Sequence, residues 1–245
     1  MTNTLVLAPT SFELDRVQAR IADRLERANG AIELCGFGVI ASASRSAFLI
    51  EKYQPNRVLL VGIAGGLTDA HASRRSPGAA MASELVNPKT PQSNQSTAAL
   101  KVGTAACFDR VACYGIGAGT GNSFLSASDI GWKHWTGAVE IEDQIGIGID
   151  DAEEISRHGT LLTCCSASAD EGDVSRRRKA FPDATAEDME GFSVAVSCRL
   201  ADKPLEIVRG ISNRAGDRDK SNWRISEALD AAADLVLKLI DQSDE

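Results

Sequence analysis

Four short segments of this 245-residue chain set polar side chains where a strand would give way to a turn. In open α/β sheets ligands collect at the carboxyl ends of strands, so these are the places to look for chemistry. The first segment, Ala8-Pro9-Thr10-Ser11-Phe12-Glu13, brings a carboxylate to the start of a helix. Glu13 could simply complement the positive end of the macrodipole there. The second, Val61-Gly62-Ile63-Ala64-Gly65-Gly66-Leu67, has three glycines that allow close approach of backbone to a ligand and expose amide groups. A tight turn explains those glycines equally well. The third, Thr185-Ala186-Glu187-Asp188-Met189-Glu190-Gly191, packs acids at a strand-to-helix junction. A carboxylate accepts two hydrogen bonds at once, so Glu190 could hold the vicinal hydroxyls of a ribose; capping by Asp188 or Glu190 is the alternative. The fourth runs from Ile207 through Arg209, Asn213, Arg214, Asp217 and Arg218 to Lys220, a buried strand ending in more charge than a surface turn needs. That excess points to function.

The bulk properties narrow the partners. A formal net charge of -8, with both signs interspersed, provides no basic stripe to track a phosphate backbone, so nucleic acid is not expected. The one basic run, Arg176-Arg177-Arg178-Lys179, follows Glu171 and Asp173 and reads as a solvated helix face. The start of the chain lacks the pattern of a signal peptide, and no apolar run reaches the ~18 residues of a membrane span. No membrane partner and a cytoplasmic location are expected. Six cysteines without a Cys-x-x-Cys pair read as small core residues in a reducing compartment. Three histidines, His71, His134 and His158, lack metal-ligand spacing, so no metal is expected. Gly115-x-Gly117-x-Gly119-x-Gly121 does not match the dinucleotide fingerprint, and no nicotinamide or other cofactor is expected.

The elements that must position these residues follow from periodicity. Short apolar runs (5–8, 32–35, 58–61, 111–116, 161–165, 205–211) alternate with helical patterns (12–28, 42–52, 191–201, 223–239). Such alternation predicts an α/β domain, one sheet with helices on both faces, spanning residues 1–245. In the last helix Ile225, Leu229, Leu235 and Leu239 fall near one face. Residues 70–98, rich in Ser, Ala, Asn, Gln and Pro, break the pattern and read as a flexible surface insertion.

In this order and at these separations, the four segments resemble the nucleosidase branch of the purine nucleoside phosphorylase superfamily. Asp188-Met189-Glu190-Gly191, Arg209-Gly210-Ile211-Ser212-Asn213 and the run Gly216 to Arg224 look most like the futalosine hydrolases. The resemblance implies a mixed central β-sheet flanked by helices, a homodimer or larger homo-oligomer, and cleavage of a purine nucleoside without metal or organic cofactor. It implies release of hypoxanthine from futalosine, a step of menaquinone biosynthesis. It gives Glu13 the place of the acid that activates water and Met189 and Glu190 that of the ribose-contacting pair. Asn213 falls where the five-membered ring of the base is read, and Ala64, Gly65 and Gly66 fall on the backbone wall of the pocket. In the adenine-releasing branch the residue at position 213 is an aspartic acid, which can protonate the leaving base. An amide can only hydrogen-bond, which suits a 6-oxopurine. A methylthioadenosine or adenosylhomocysteine nucleosidase, a phosphorylase with Arg45 or the Gly62 loop at phosphate, and a silent nucleoside-binding module are the alternatives. Neither Phe181 nor Phe192 stands out from core as a residue to stack on the base.

Overall fold

A computed structural model describes residues 3–67, 100–149 and 155–242; the insertion expected at 70–98 lies outside the described residues, save its neighbour Leu100. In chain order the elements are β1 (Thr4–Ala8), α1 (Ser11–Arg27), β2 (Ala31–Leu34), α2 (Gly38–Tyr53), β3 (Arg57–Gly66), β4 (Ala105–Cys107) and β5 (Arg110–Tyr114). Then come β6 (Gly117–Ala118), β7 (Leu125–Ser126), β8 (Trp135–Thr136), β9 (Glu140–Ile141), β10 (Gln144–Gly146), β11 (Thr160–Cys164) and α3 (Glu171–Ala180). The chain continues through β12 (Ala184–Asp188), α4 (Gly191–Leu200), β13 (Leu205–Arg214) and α5 (Ile225–Asp241).

The mixed sheet expected from the sequence is present. Its order is β10-β5-β11-β12-β3-β1-β2, with β13 beside β3 and β4 beside β13. Every residue of β1 is buried, the continuous apolar run of a strand covered on both faces. Alternation then sorts side chains between two cores. Leu5, Leu7, Leu60 and Ile207 join one cluster with residues of α2 and α4. Val6, Val61 and Val208 join the other, against α1 and α5.

Helix α1 begins where Thr10, in extended conformation, accepts the Glu13 N–H on its side chain. Its buried stripe is Glu13, Val17, Ile21 and Leu25, one residue per turn. Burying the three apolar members stabilises by roughly 1.5–3 kcal/mol each, which lets the stripe carry a carboxylate at its head. On α5 the buried face is Ala228, Leu229, Ala232, Ala233, Val236, Leu239 and Ile240; Leu235, expected on it, is half-buried. The helices begin elsewhere than the sequence pattern indicated: α2 starts at Gly38 rather than Ser42, and α5 at Ile225 rather than Trp223.

Two expectations are corrected. Arg177 is not part of a solvated face: it is buried, ion-paired to Glu187, and donates to Ser168 Oγ at 2.7 Å and Ser166 O at 2.7 Å. The alternation of α3 turns that one arginine inward while Lys179 stays exposed. Cys165 is exposed, because it lies one residue past the end of β11, whereas the other five cysteines are buried.

Candidate active site

The site lies where β3 changes partners. Its first half pairs with β1, Thr4 to Leu7 against Arg57 to Leu60. Its last two residues pair instead with β12, antiparallel, Gly65 with Glu187 and Gly66 with Ala186. Only β13 accompanies it throughout. Past Leu60 the strand therefore leaves β1, and a seam opens between the ends of β1 and β12. A cavity of about 310 Å³ fills this seam, a size suited to a small ligand. Glu13, Ala64, Gly65, Met189, Glu190 and Asn213, drawn from four separate segments, all line it. Gly66 does not: it is held in the sheet, packed on Ile211 and Leu100.

Glu13 departs from simple helix capping. In a capping box the glutamate would reach back to the backbone N–H of Thr10. Here Oε1 accepts the Ile63 N–H at 3.0 Å and Oε2 accepts the Thr10 hydroxyl at 2.6 Å. The carboxylate is thus turned across the seam onto β3 and is 5% exposed. Gly62 makes this possible. A Cβ there would collide with Arg209 Nη1 and stand 2.7 Å from Glu13 Oε1, so the backbone approaches both charges as closely as only glycine allows.

Arg209 is fully buried behind the acids that line the cavity. Its Nη2 and Nε donate to Asp188 Oδ2 at 2.6 and 3.1 Å, and Nη2 lies 3.4 Å from Glu190 Oε2. Nη1 has no hydrogen-bond partner among the described residues. Asp188 is further fixed by the Thr163 hydroxyl at 2.6 Å and the Gly191 N–H at 2.8 Å. It is therefore a structural anchor of the junction. Glu190 is held by one firm bond, from the Gly38 N–H to Oε1 at 3.0 Å. Burial pushes its carboxyl up to about 7, with the neighbouring Asp188 charge adding to the rise and Arg209 opposing it. A carboxylate so poised gains from any ligand hydroxyl that donates to it. Three acids, Glu13, Asp188 and Glu190, thus share one arginine in a water-poor site, an environment that favours a ligand developing positive charge.

Ser212 joins Asn213 at the cavity through one extra residue in β13. Ile211 pairs with Ala64 and Asn213 with Gly65, so Ser212 has no counterpart on β3. A regular strand shows alternate residues to one side; the irregularity lets consecutive Ser212 and Asn213 both line the cavity. Asn213 Nδ2 donates to Arg214 O at 2.7 Å and Oδ1 accepts the Ser212 hydroxyl at 2.8 Å. One N–H and one acceptor position of the amide stay available.

Aromatic surface comes from residues not singled out in the sequence: Phe12, Phe37 and Trp223 line the cavity, whereas Phe181 and Phe192 are core. Phe12 stands next to a nominated residue on the first turn of α1, a cue that periodicity alone does not supply. Arg45 is spoken for, 3.6 Å from Glu33 and stacked on Phe48, and does not line the cavity. Among the described residues no three metal-ligating side chains converge, and no helix is long and apolar enough to cross a membrane.

The fold of this chain is shared with solved nucleosidase structures of low sequence identity. The solved nucleosidase from Colwellia psychrerythraea, a 5′-methylthioadenosine/S-adenosylhomocysteine nucleosidase in complex with adenine, superposes with a TM-score of 0.67 at 18% identity, covering 98% of this chain and 95% of that one. Residues 140–242 match the model of the Phosphorylase superfamily. The futalosine hydrolase of Streptomyces coelicolor is 34% identical over 56% of this chain and 57% of its own length. The 5′-methylthioadenosine/S-adenosylhomocysteine nucleosidase of Bacillus pumilus is 33% identical over 43% of this chain and 46% of its own. The chain thus spans about half the length of these relatives, and the resemblance to nucleosidases, futalosine hydrolases among them, is found again.

Proposed function

We propose that this protein is an N-glycosyl hydrolase that releases the base from a 6-oxopurine nucleoside, futalosine being the expected substrate. The observation that carries this reading is the placing of Glu13 and Glu190 in one cavity with different surroundings. Glu13 is fixed by a hydroxyl and a backbone N–H, and Glu190 is buried beside Asp188 and Arg209. Two carboxylates in unlike environments are what glycosidic hydrolysis needs. In the proposed reaction Glu190 accepts hydrogen bonds from the ribose 2′ and 3′ hydroxyls. Glu13 takes a proton from water as its oxygen bonds to C1′. The bond from C1′ to the purine breaks, its electron pair leaves with the base, and the base takes up a proton from solvent as Glu13 gives its own back to solvent. The positive charge passing through the sugar is met by the excess of acids around Arg209. Asn213 reads the purine edge with its remaining donor and acceptor. Assembly as a homo-oligomer belongs to the same proposal.

A second reading, release of adenine from methylthioadenosine or adenosylhomocysteine, is supported by the match to the Bacillus pumilus enzyme and by the adenine-bound Colwellia fold. Asn213 in place of an aspartic acid favours the 6-oxo base. Base release from futalosine, inosine and methylthioadenosine, each with and without phosphate, separates these readings. Hypoxanthine released fastest from futalosine, independently of phosphate and with free sugar as co-product, is the expected result. A sugar 1-phosphate product would refute hydrolysis, and faster release of adenine would refute the base assignment.

A further inference from the structure

Part of the cavity wall is Ala167, in the turn between β11 and α3, and both neighbours of Ala167 are gripped by the same buried arginine. We propose that Arg177 decides which purines the cavity admits: by fixing this turn it makes a rigid wall against the six-membered ring and excludes a substituent on carbon 2. The inference rests on the nucleosidase reading above and adds to it a positioning residue that lies outside the cavity lining.

Arg177 reaches both sides of the turn with the two arms of its fork. Nη2 donates to Ser166 O at 2.7 Å, before Ala167, and Nη1 donates to Ser168 Oγ at 2.7 Å, after it. Glu187 completes the grip on the second side. It takes the Ser168 N–H on Oε1 at 2.8 Å and the Ser168 hydroxyl on Oε2 at 2.7 Å, while Oε2 is itself paired with Nη1. The Tyr114 ring backs the guanidinium, which sits 5.4 Å from its centre. Arg177 and Glu187 are buried, whereas Ser166 and Ala167 are exposed, so a buried network holds a turn that solvent would otherwise leave free. Charge-assisted bonds linked in this way rigidify what they hold. Stability alone does not account for the network, because a buried ion pair often does no better than apolar residues of the same volume, and Arg177 Nε is left without a partner among the described residues.

The sheet sets this wall against the base. Gly65 pairs with Glu187 on one side and with Asn213 on the other. With the sugar on Glu190 and the five-membered ring on Asn213, the edge of the purine left to face the turn is that of N1 and carbon 2. The side chain of Ala167 is a single methyl, so the space there is limited by where the backbone is held rather than by bulk. A wall that cannot retreat turns an added methyl group into a clash, and one that can retreat accommodates it at little cost. Lysine is a poor substitute for the arginine, since a point charge lacks the planar fork that serves Ser166 O and Ser168 Oγ together.

The test compares hypoxanthine with 2-methylhypoxanthine, which keeps N1–H and O6 and adds one methyl group. Dissociation constants from calorimetry, alongside kcat/KM for release of each base from inosine and 2-methylinosine, are measured for the full chain and two variants. One is Arg177→Lys; the other combines Arg177→Met with Glu187→Met, which removes both charges so that neither is left buried alone. The unaltered protein is expected to bind hypoxanthine about thirtyfold more tightly than its methyl derivative, within the roughly 10–200-fold that one such group commands in a fitted pocket. That ratio should fall to within about threefold of one in the double variant and to about tenfold in Arg177→Lys, which keeps a partner for Glu187 and decides the matter if the double variant does not fold. A ratio below about fivefold in the unaltered protein, or one that neither variant lowers, overturns the proposal. Equal weakening of both bases does so too, since it marks a merely structural role for the network. The expected ratios without release of base from either nucleoside would sink the nucleosidase reading and leave the role of Arg177 standing.

Discussion

Replacing Glu190 by glutamine should change how stability depends on pH, with a sign set by the site itself. The carboxyl is raised from about 4.5 to about 7, chiefly by burial, and its side chain is only 6% exposed, so solvent screening is slight. Below pH 4.5 it is protonated in both folded and unfolded chains. Between 4.5 and 7 the unfolded chain ionises while the folded one keeps its proton, so the native state binds more protons and stability falls as pH rises. Each pH unit costs at most about 1.4 kcal/mol, and the whole window about 3 kcal/mol. Glutamine keeps the shape and an acceptor for the Gly38 N–H but has no proton to exchange. Urea unfolding of both proteins from pH 4.5 to 8 measures the difference, and other titrating groups, such as Glu206, cancel between them. The variant should gain about 3 kcal/mol on the parent across this range. A flat difference would mean that Glu190 titrates normally. A gain by the parent would mean that attraction to Arg209 outweighs burial, and the account of the site would be wrong.

The same group predicts activity: kcat/KM should rise with pH and level off above about 7, as the carboxylate that accepts the sugar hydroxyls forms; a fall over that range would contradict its role. Glu13→Gln should lower kcat by ~10²-fold or more with little change in substrate affinity, and a loss within threefold would remove Glu13 as the base. Asn213→Asp should shift the ratio of kcat/KM for matched 6-oxo and 6-amino nucleosides toward the amino compound by about tenfold, from ~1–3 kcal/mol per unmatched polar group; an unchanged ratio would show that Asn213 does not read the base. Gly62→Ala, which drives a methyl into Arg209 and Glu13, should destabilise by about 1–3 kcal/mol in urea unfolding and lower kcat; a neutral effect would mean that β3 can move away.

The alternation of strands and helices was legible because it rests on periodicity, and so were the strand ends that feed the cavity. What periodicity could not show was which strand lies beside which. The seam arises because β3 is ten residues long and exchanges β1 for β12 midway, a long-range pairing with no local signature. Arg177 was misread for the same reason, since its partner Glu187 is brought to α3 by β12. Glu13 and Asn213 were nominated through resemblance; by residue type alone Glu13 was only a helix-end acid. Its place at the head of the Val17-Ile21-Leu25 stripe was nevertheless written in the spacing, a carboxylate where core packing asks for a hydrocarbon. Trp223 and Phe37 reach the cavity from loops, where neither period applies.

The unmatched Ser212 has a consequence for how this site can vary. Along β13, Ile211 is paired with Ala64, Asn213 with Gly65 and Arg214 with Gly66, so the loss of Ser212 alone would leave every later side chain on its present partner and take away only the extra residue that adds a second polar side chain to the cavity. Arg209 and Asn213 would both keep their places, while the hydroxyl that donates to Asn213 Oδ1 was lost. The extra residue thus governs how firmly the amide is aimed rather than whether it is present, and a one-residue deletion would loosen the aim while leaving the acids around Arg209 as they are.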